Sequence, residues 1–222
     1  MATSLYNDQG KLLDYHGEQF KKYRLSTIRE DGIDDLQEFL NAQDYKWQEG
    51  KTGNEDEIDY NLRRSDITWV NDPGIMDFVW QRFKSANEDP DWDFDINNME
   101  EIQYAKYNVS PTPNDSNPVM TLNGHYGWHT DEVFHENPLG YKDGNNQICR
   151  KLSMTINLND DYKGASFEFG FLNSNGTVSN TILKLKKGEV LVFPSMMMHR
   201  INPVLEGERR ALVAWAWGPS WK

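Results

Sequence analysis

The first hundred residues contain two stretches in which apolar side chains recur at helical spacing. The first covers 34–40, where two aspartates suit the first turn of a helix. The second covers 74–83 and follows the helix start signal Asp72-Pro73. Residues 64–70 between them have the pattern of an extended segment. This region is therefore predicted to form helices joined by irregular or extended chain.

From about residue 101 the pattern changes to the two-residue period of β-strands. In the clearest case, over 152–158, Leu, Met and Ile alternate with Ser, Thr and Asn, which gives one apolar and one polar face. Strands are predicted over 102–107, 152–158, 165–171, 178–185, 188–194 and 210–217. Residues 173–176 form a turn signal that predicts a hairpin. The pattern indicates a mainly β (α+β) fold, a double-stranded β-helix or jelly roll with the N-terminal helices packed outside.

The length of 222 residues suits one domain. We expect a single domain over 1–222, with a helical support region over 1–100 and a jelly-roll catalytic core over 101–219. Two loops rich in glycine, asparagine or proline, at 110–117 and 134–146, interrupt this core. Their composition is typical of mobile segments, but it does not show whether they cover a binding site.

Charge and cysteine content limit the possible partners. The formal net charge is -12, so phosphate backbones and anionic lipids are poor partners, and we expect neither nucleic acid nor membrane binding. Cys149 is the single cysteine, which excludes internal disulfides and cysteine-based zinc sites. No apolar run has the length of a membrane span, and the N-terminal residues lack signal-peptide character, so a cytoplasmic location is expected. The oligomeric state stays open.

The arrangement of the histidines suggests a metal site. His129 and Asp131 are two residues apart, so in extended chain both side chains point to one face. His199, after a predicted strand, is a candidate third ligand. Two imidazoles and one carboxylate are the ligands of non-haem Fe(II) oxygenases. A single His-x-Asp is common by chance, so this pattern needs support from elsewhere in the chain.

An arginine in the last predicted strand gives such support. Arg209 shares its face with Ala211, Val213 and Trp215, whereas the next residue points the other way. If that face is interior, the guanidinium needs an anionic partner and would bind a carboxylate ligand. The alternative is a surface arginine paired with one of the neighbouring glutamates.

Several motifs together resemble one enzyme family. These are GHYGWHTD at 124–131, GEVLVFPS at 188–195, HRINPV at 199–204, GER at 207–209 and LVAWAWGP at 212–219. In this order they resemble the 2-oxoglutarate- and Fe(II)-dependent oxygenases, and within them the prolyl 4-hydroxylase-like group. The resemblance covers roughly residues 101–219. The chain departs from it at Ala165, where relatives commonly have a second glycine.

The resemblance implies a role for several side chains. It implies that the iron ligands are His129, Asp131 and His199, and that the 2-oxoglutarate-binding residues are Arg209, Tyr107, Asn157 and Trp215. It also implies that Tyr126 and Trp128, which flank the first ligand, face the substrate. No separate acid–base residue is required. The implied cofactors are Fe(II), 2-oxoglutarate as cosubstrate and O2, with ascorbate as a possible reductant.

The resemblance also implies a reaction. It is hydroxylation of an unactivated C–H bond, at C4 of a peptidyl proline, with release of succinate and CO2. The same chemistry on a free amino acid or other small molecule is an alternative. Two further alternatives are a non-catalytic cupin-like module that binds a carboxylate, and a zinc- or manganese-dependent hydrolase or isomerase.

Overall fold

The structure is a computed structural model that describes residues 23–52, 58–109, 123–136, 147–172 and 178–220. Its elements, in chain order, are β1 (Arg24–Thr27), α1 (Glu30–Asn41), β2 (Gln48–Glu49), β3 (Arg63–Arg64), β4 (Asp66–Val70), α2 (Pro73–Asn87), β5 (Asn98–Met99), β6 (Ile102–Asn108), β7 (His125–His129), β8 (Phe134–Glu136), β9 (Gln147–Asn157), β10 (Lys163–Gly164), β11 (Phe167–Leu172), β12 (Val178–Leu183), β13 (Glu189–Pro194), β14 (His199–Ile201), β15 (Val204–Glu206) and β16 (Glu208–Pro219). Strands dominate, and the two helices contain the predicted helical segments.

The strands of the described residues form two large antiparallel sheets and one two-stranded sheet. Within the described ranges, the larger sheet has the order β1-β13-β9-β16-β6-β4-β2, with β5 added on β16 and β8 on β9. The smaller sheet has the order β12-β11-β14-β7-β3, and β10 pairs with β15. Apolar side chains of both sheets meet between them, among them Phe167 and Phe169 from the smaller sheet and Phe193 from the larger. The predicted jelly roll is confirmed.

The helices cover the other face of the larger sheet. Ile33 and Leu40 of α1 and Val79 and Phe83 of α2 are buried in one cluster with apolar side chains of β9, β13 and β16. The predicted start of α2 is confirmed, because the Asp72 carboxylate accepts hydrogen bonds from the first backbone N–H groups of the helix. The predicted position of the helices outside the jelly roll is therefore correct.

The polar face of β9 is buried as well as the apolar face. Met154 and Ile156 pack against the helices. Ser153, Thr155 and Asn157 on the opposite face are also shielded from water. Alternation had predicted the two faces correctly. The buried polar side chains lie between the sheets, which is where the candidate site is found.

Residues before 100 also contribute strands to the sheets. β1 pairs with β13, β4 with β6, and β3 with β7. The division into a support region over 1–100 and a core over 101–219 stays a prediction. The predicted hairpin is confirmed by the pairing of β11 with β12, although 173–177 lie outside the described residues. The loop at 110–117 and most of the loop at 134–146 also lie outside them.

None of the helices in the described part of the chain has the length and apolar character needed to cross a membrane.

The turn before β11 contains a strained alanine. Ala165 has φ 45°, in the left-handed region that favours glycine. Its neighbour Gly164 has φ 78°, and a Cβ there would lie 2.4 Å from the Pro203 carbonyl oxygen. The departure from the expected glycine at position 165 therefore places a strained residue in this turn.

This strain predicts different effects for two alanine-to-glycine substitutions. Each loses a buried methyl group and gains unfolded-state entropy, which together cost about 1.5 kcal/mol. For Ala165→Gly, relief of about 1–2 kcal/mol of left-handed strain offsets that cost. We therefore expect Ala165→Gly to change the free energy of unfolding little, and Ala214→Gly in β16 to lower it by about 1.5 kcal/mol. Urea unfolding of both variants measures the difference, and equal destabilisation would contradict the prediction.

Candidate metal centre

The two predicted histidine ligands lie on neighbouring strands. His129 is the last residue of β7, His199 is the first residue of β14, and the two are directly paired in the antiparallel ladder. Asp131 follows β7 by two residues, and its backbone N–H donates to the Ser195 carbonyl at 2.9 Å. This bond anchors the carboxylate to the turn that leads into β14. Strand pairing thus brings together residues that are far apart in sequence.

The three side chains converge on one point. The His129 Nε2 lies 3.5 Å from one carboxylate oxygen of Asp131, and the His199 Nε2 lies 3.5 Å from the other. Potential ligand atoms of all three residues lie within 4.8 Å of one another. Such a set, with two nitrogens and one carboxylate oxygen, fits a first-row metal such as ferrous iron and leaves further positions for other ligands. The residues therefore fit the metal that the sequence predicted.

Backbone carbonyls orient both imidazoles. The Nδ1 atom of His129 lies 2.8 Å from the Gly127 carbonyl oxygen, and that of His199 lies 2.9 Å from the Met197 carbonyl oxygen. Because a carbonyl only accepts, this geometry assigns the proton to Nδ1 and leaves the lone pair on Nε2. Both lone pairs are then available where the carboxylate lies. This arrangement is common around metal-binding histidines.

Local electrostatics favour the ionisation states that metal binding needs. Burial lowers the pKa of His199 to about 4, so the imidazole is neutral at pH 7. Burial alone would raise the pKa of Asp131, but His199 and His129 outweigh this effect and the pKa lies below its ordinary value. Metals bind neutral imidazole and ionised carboxylate, so no proton has to leave either group at neutral pH.

Arg209 is buried beneath this cluster. It is 1% exposed, and its guanidinium lies 3.5 Å from the Thr155 hydroxyl and 5.3 Å from the centre of the Tyr107 ring. No carboxylate of the described residues pairs with it. The surface alternative fails, because the neighbouring Arg210 binds Glu208 instead. A buried guanidinium without a counter-ion is a strong site for an anionic ligand.

One cavity joins the metal ligands to Arg209. The other residues that line it include Tyr107, Tyr126, Thr155, Phe193 and Trp215. The indole N–H of Trp215 is buried and has no acceptor among the described residues. The structure thus brings the predicted residues Tyr107, Tyr126 and Trp215 to the same cavity as the ligands.

Asn157 does not line this cavity. Its amide nitrogen donates to the carbonyls of Asn159 and Leu185, at 2.6 and 3.1 Å, and its oxygen accepts from the Tyr162 hydroxyl at 3.1 Å. The amide is therefore fully used within the protein. Thr155, on the same face of β9, is the residue that reaches Arg209. The contact of Asn157 with the cosubstrate stays a prediction, and the structure offers Thr155 in that position.

A bulge in β7 separates the two predicted substrate residues. The pairing of β7 with β14 shifts by one residue between positions 126 and 129. As a result the Tyr126 ring stacks on the His129 ring, with centroids 3.5 Å apart. Trp128 points elsewhere and packs against the guanidinium of Arg200 at 4.5 Å. The structure therefore places Tyr126, but not Trp128, at the cavity.

Besides Thr155, the sequence did not identify two further polar residues of the cavity wall. Arg63 of β3 and Gln103 of β6 are both buried, and the guanidinium donates to the amide oxygen at 2.6 Å. Gln103 has the same strand parity as Tyr107, so alternation was a usable signal. Alternation gave no such signal for Arg63, because its strand is only two residues long.

Comparisons with known proteins agree with this geometry. Residues 118–217 match the sequence model of the 2OG-Fe(II) oxygenase superfamily. A PKHD-type hydroxylase of Prochlorococcus marinus is 36% identical over 95 residues, which cover 42% of this chain and 36% of that protein. One of Thermosynechococcus vestitus is 35% identical over 91 residues, which cover 40% and 36%. The matches thus span about a third of the length of these curated relatives.

Solved structures share the fold. A prolyl hydroxylase from Trichoplax adhaerens, in complex with a hypoxia inducible factor peptide fragment, superimposes with a TM-score of 0.63 at 15% identity, over 88% of this chain and 83% of that chain. A prolyl-4-hydroxylase from Pseudomonas putida gives a TM-score of 0.57 at 16% identity, over 88% and 92%. Residues 118–217 therefore match the 2OG-Fe(II) oxygenase superfamily in sequence, and the chain shares the fold of solved prolyl hydroxylases.

Proposed function

We propose that the protein is a 2-oxoglutarate- and Fe(II)-dependent dioxygenase that hydroxylates a peptidyl proline at C4. One observation carries the oxygenase part of this proposal: the histidine–aspartate–histidine cluster and the buried Arg209, which has no carboxylate partner among the described residues, face the same cavity. The peptidyl-proline part rests on the prolyl 4-hydroxylase-like motifs of the sequence. A metal site alone would suit many hydrolases. A metal site beside a buried carboxylate receptor suits a cosubstrate that binds the metal at one end and carries an acid at the other.

The metal ligands supply position and charge. In this proposal His129, Asp131 and His199 hold ferrous iron on one side through two neutral nitrogens and one carboxylate. When bound, iron with 2-oxoglutarate and O2 supplies the oxidising chemistry that hydroxylates a C–H bond and releases succinate and CO2. The carbonyls that accept from both Nδ1 atoms keep the imidazoles oriented. The use of ascorbate as reductant stays a prediction.

Arg209 and its neighbours would hold the cosubstrate. The guanidinium would bind the distal carboxylate through a charge-assisted pair, with the Thr155 hydroxyl as an additional donor. The Tyr107 ring beneath the guanidinium restricts its orientation. Because the whole group is shielded from water, the ion pair is stronger than it would be at the surface.

Aromatic side chains would exclude water from the reacting centre. Phe167 stacks parallel to the His199 ring at 5.3 Å, and Phe193 meets its edge at 4.7 Å. Tyr126 covers His129 on the other side. The free indole donor of Trp215 is available to a substrate or cosubstrate oxygen. In this proposal the substrate reaches the metal from the side that these aromatic rings do not cover.

Loss of any one ligand should abolish metal binding. We expect His129→Ala, Asp131→Ala and His199→Ala to lose stoichiometric Mn(II) binding in calorimetric titrations, and to form no succinate with Fe(II). His125→Gln is the matched control and should keep metal binding. Both ring nitrogens of His125 lie near backbone carbonyls, at 2.8 and 3.1 Å, so this histidine is not one of the metal ligands. Succinate formation by the wild-type protein in excess chelator would contradict the metal assignment.

Neutralising Arg209 should weaken cosubstrate binding specifically. We expect Arg209→Gln to raise the KM for 2-oxoglutarate by roughly tenfold to a hundredfold, because a charge-assisted bond is worth about 1.5–3 kcal/mol. Arg210→Gln removes the same charge from the opposite face and should leave this KM close to that of the wild type. Equal effects in the two variants would exclude Arg209 as the carboxylate receptor.

The substrate assignment is tested by mass spectrometry. Proline-containing peptides and free amino acids are incubated with Fe(II), 2-oxoglutarate and ascorbate, and fragmentation locates any added oxygen atom. We expect the added oxygen on a prolyl ring of a peptide, with the stereochemistry and position of 4-hydroxyproline in the hydrolysate. Oxygen found on another residue, or on a free amino acid alone, would overturn the peptidyl-proline proposal but keep the oxygenase chemistry.

A further inference from the structure

A second buried arginine lies on the open side of the same cavity. Arg63 is 6% exposed, and it lines both the cavity at the metal ligands and an adjoining groove of about 720 Å³. The two spaces also share Gln103, Tyr126 and Trp215. The guanidinium lies 4.7 Å from the centre of the Tyr126 ring, which itself stacks on a metal ligand. Arg63 is thus close to the position where a substrate would approach the metal.

Neutral groups alone hold this guanidinium. Its nitrogens donate to the Ser65 hydroxyl at 2.8 Å, the Lys51 carbonyl at 3.3 Å and the Gln103 amide oxygen at 2.6 Å. These bonds use three of its five N–H groups. Among the described residues no carboxylate lies within ion-pair distance of it. A buried charge without a counter-ion is destabilising, so these contacts explain the position of Arg63 but not its charge.

Of the other charged side chains along the groove, Arg150 and Asp131 are already compensated, and Lys51 is exposed to solvent. Arg150 donates two hydrogen bonds to the carboxylate of Glu100, at 2.5 and 2.7 Å. Asp131, the carboxylate that lines the groove, belongs to the metal cluster. Of the two arginines in the groove, Arg63 is therefore the one whose charge is available to a ligand.

A glycine provides the space for the Arg63 head group. A Cβ at Gly50 would lie 2.5 Å from the Arg63 Nε and 2.9 Å from its Cζ. The Gly50 backbone N–H also donates to the Ser65 carbonyl at 2.7 Å, which fixes this close approach. Any larger residue at position 50 would displace the guanidinium. The location of the charge is therefore set by the local backbone.

We infer that Arg63 binds a carboxylate of the substrate, next to the C–H bond that reacts. This inference rests on the proposed function for the nature of the site and adds a substrate class to it. The carboxylate is either an acidic side chain beside the target residue of a peptide or the carboxylate of a free amino acid. Both present the same chemistry to the two N–H groups of Arg63 that have no partner among the described residues.

Matched ligand pairs test the inference. Binding to the protein saturated with Mn(II) and 2-oxoglutarate is measured by calorimetry, and repeated on the protein alone. One pair is the capped tripeptides Glu-Pro-Gly and Gln-Pro-Gly, and the other is L-proline and L-prolinamide. We expect the carboxylate member to bind roughly tenfold tighter or more in at least one pair, and that pair identifies the source of the carboxylate.

Variants show whether Arg63 causes the preference. Arg63→Gln should reduce the affinity ratio of the preferred pair to about one. Gly50→Ala keeps the charge but displaces it, so it should reduce the ratio while circular dichroism stays native. Arg64→Gln removes the same charge from a residue that does not line the groove, and should keep the wild-type ratio.

Three results would overturn the inference: equal affinities in both pairs, no binding of any of the four ligands, or a preference that survives Arg63→Gln. Succinate formation with Fe(II) is measured separately. Its absence with every ligand would count against the proposed function, whereas the affinity ratios report on Arg63 alone.

Discussion

The candidate site depends on the antiparallel pairing of β7 with β14. His129 and His199 face each other in this ladder, so the distance between the two imidazoles is set by strand spacing and not by loop conformation. The bond from the Asp131 backbone to Ser195 then attaches the residue that carries the carboxylate to the turn that leads into β14. Sites built on paired strands are held more rigidly than sites on loops, which suits a metal centre whose ligands must keep a fixed geometry.

Buried charged side chains lie at both ends of the cavity. The anionic Asp131 lines the same cavity as two buried arginines that have no carboxylate partner among the described residues. Arg209 lies at the closed end of the cavity and Arg63 at the end that adjoins the groove. An acidic cosubstrate and an acidic substrate would then be attracted to different ends of one cavity. The overall charge of -12 gives no indication of this local arrangement.

The sequence predicted the orientation of those site residues for which the alternation within a single strand was sufficient. A two-residue period placed His129 and Asp131 on one face of the chain and Arg209 on the inner face of its strand. All three side chains line the cavity, as that period predicted. Tyr126 and Trp128 have the same parity, but the bulge in β7 separates them, and a bulge leaves no mark in the alternation. Arg63 depends on a two-residue strand and on Gly50 beside it, which only the folded chain brings together.

The strands at the margins of the larger sheet are short. β1 has four residues and β2 has two, whereas the central strands β9 and β16 have eleven and twelve. A long apolar strand with a free side can pair with another molecule and begin aggregation, but a strand of two to four residues offers few backbone groups for such pairing. The chain therefore keeps its long strands in the interior of the sheet, where they carry the site without providing a template for intermolecular β-pairing.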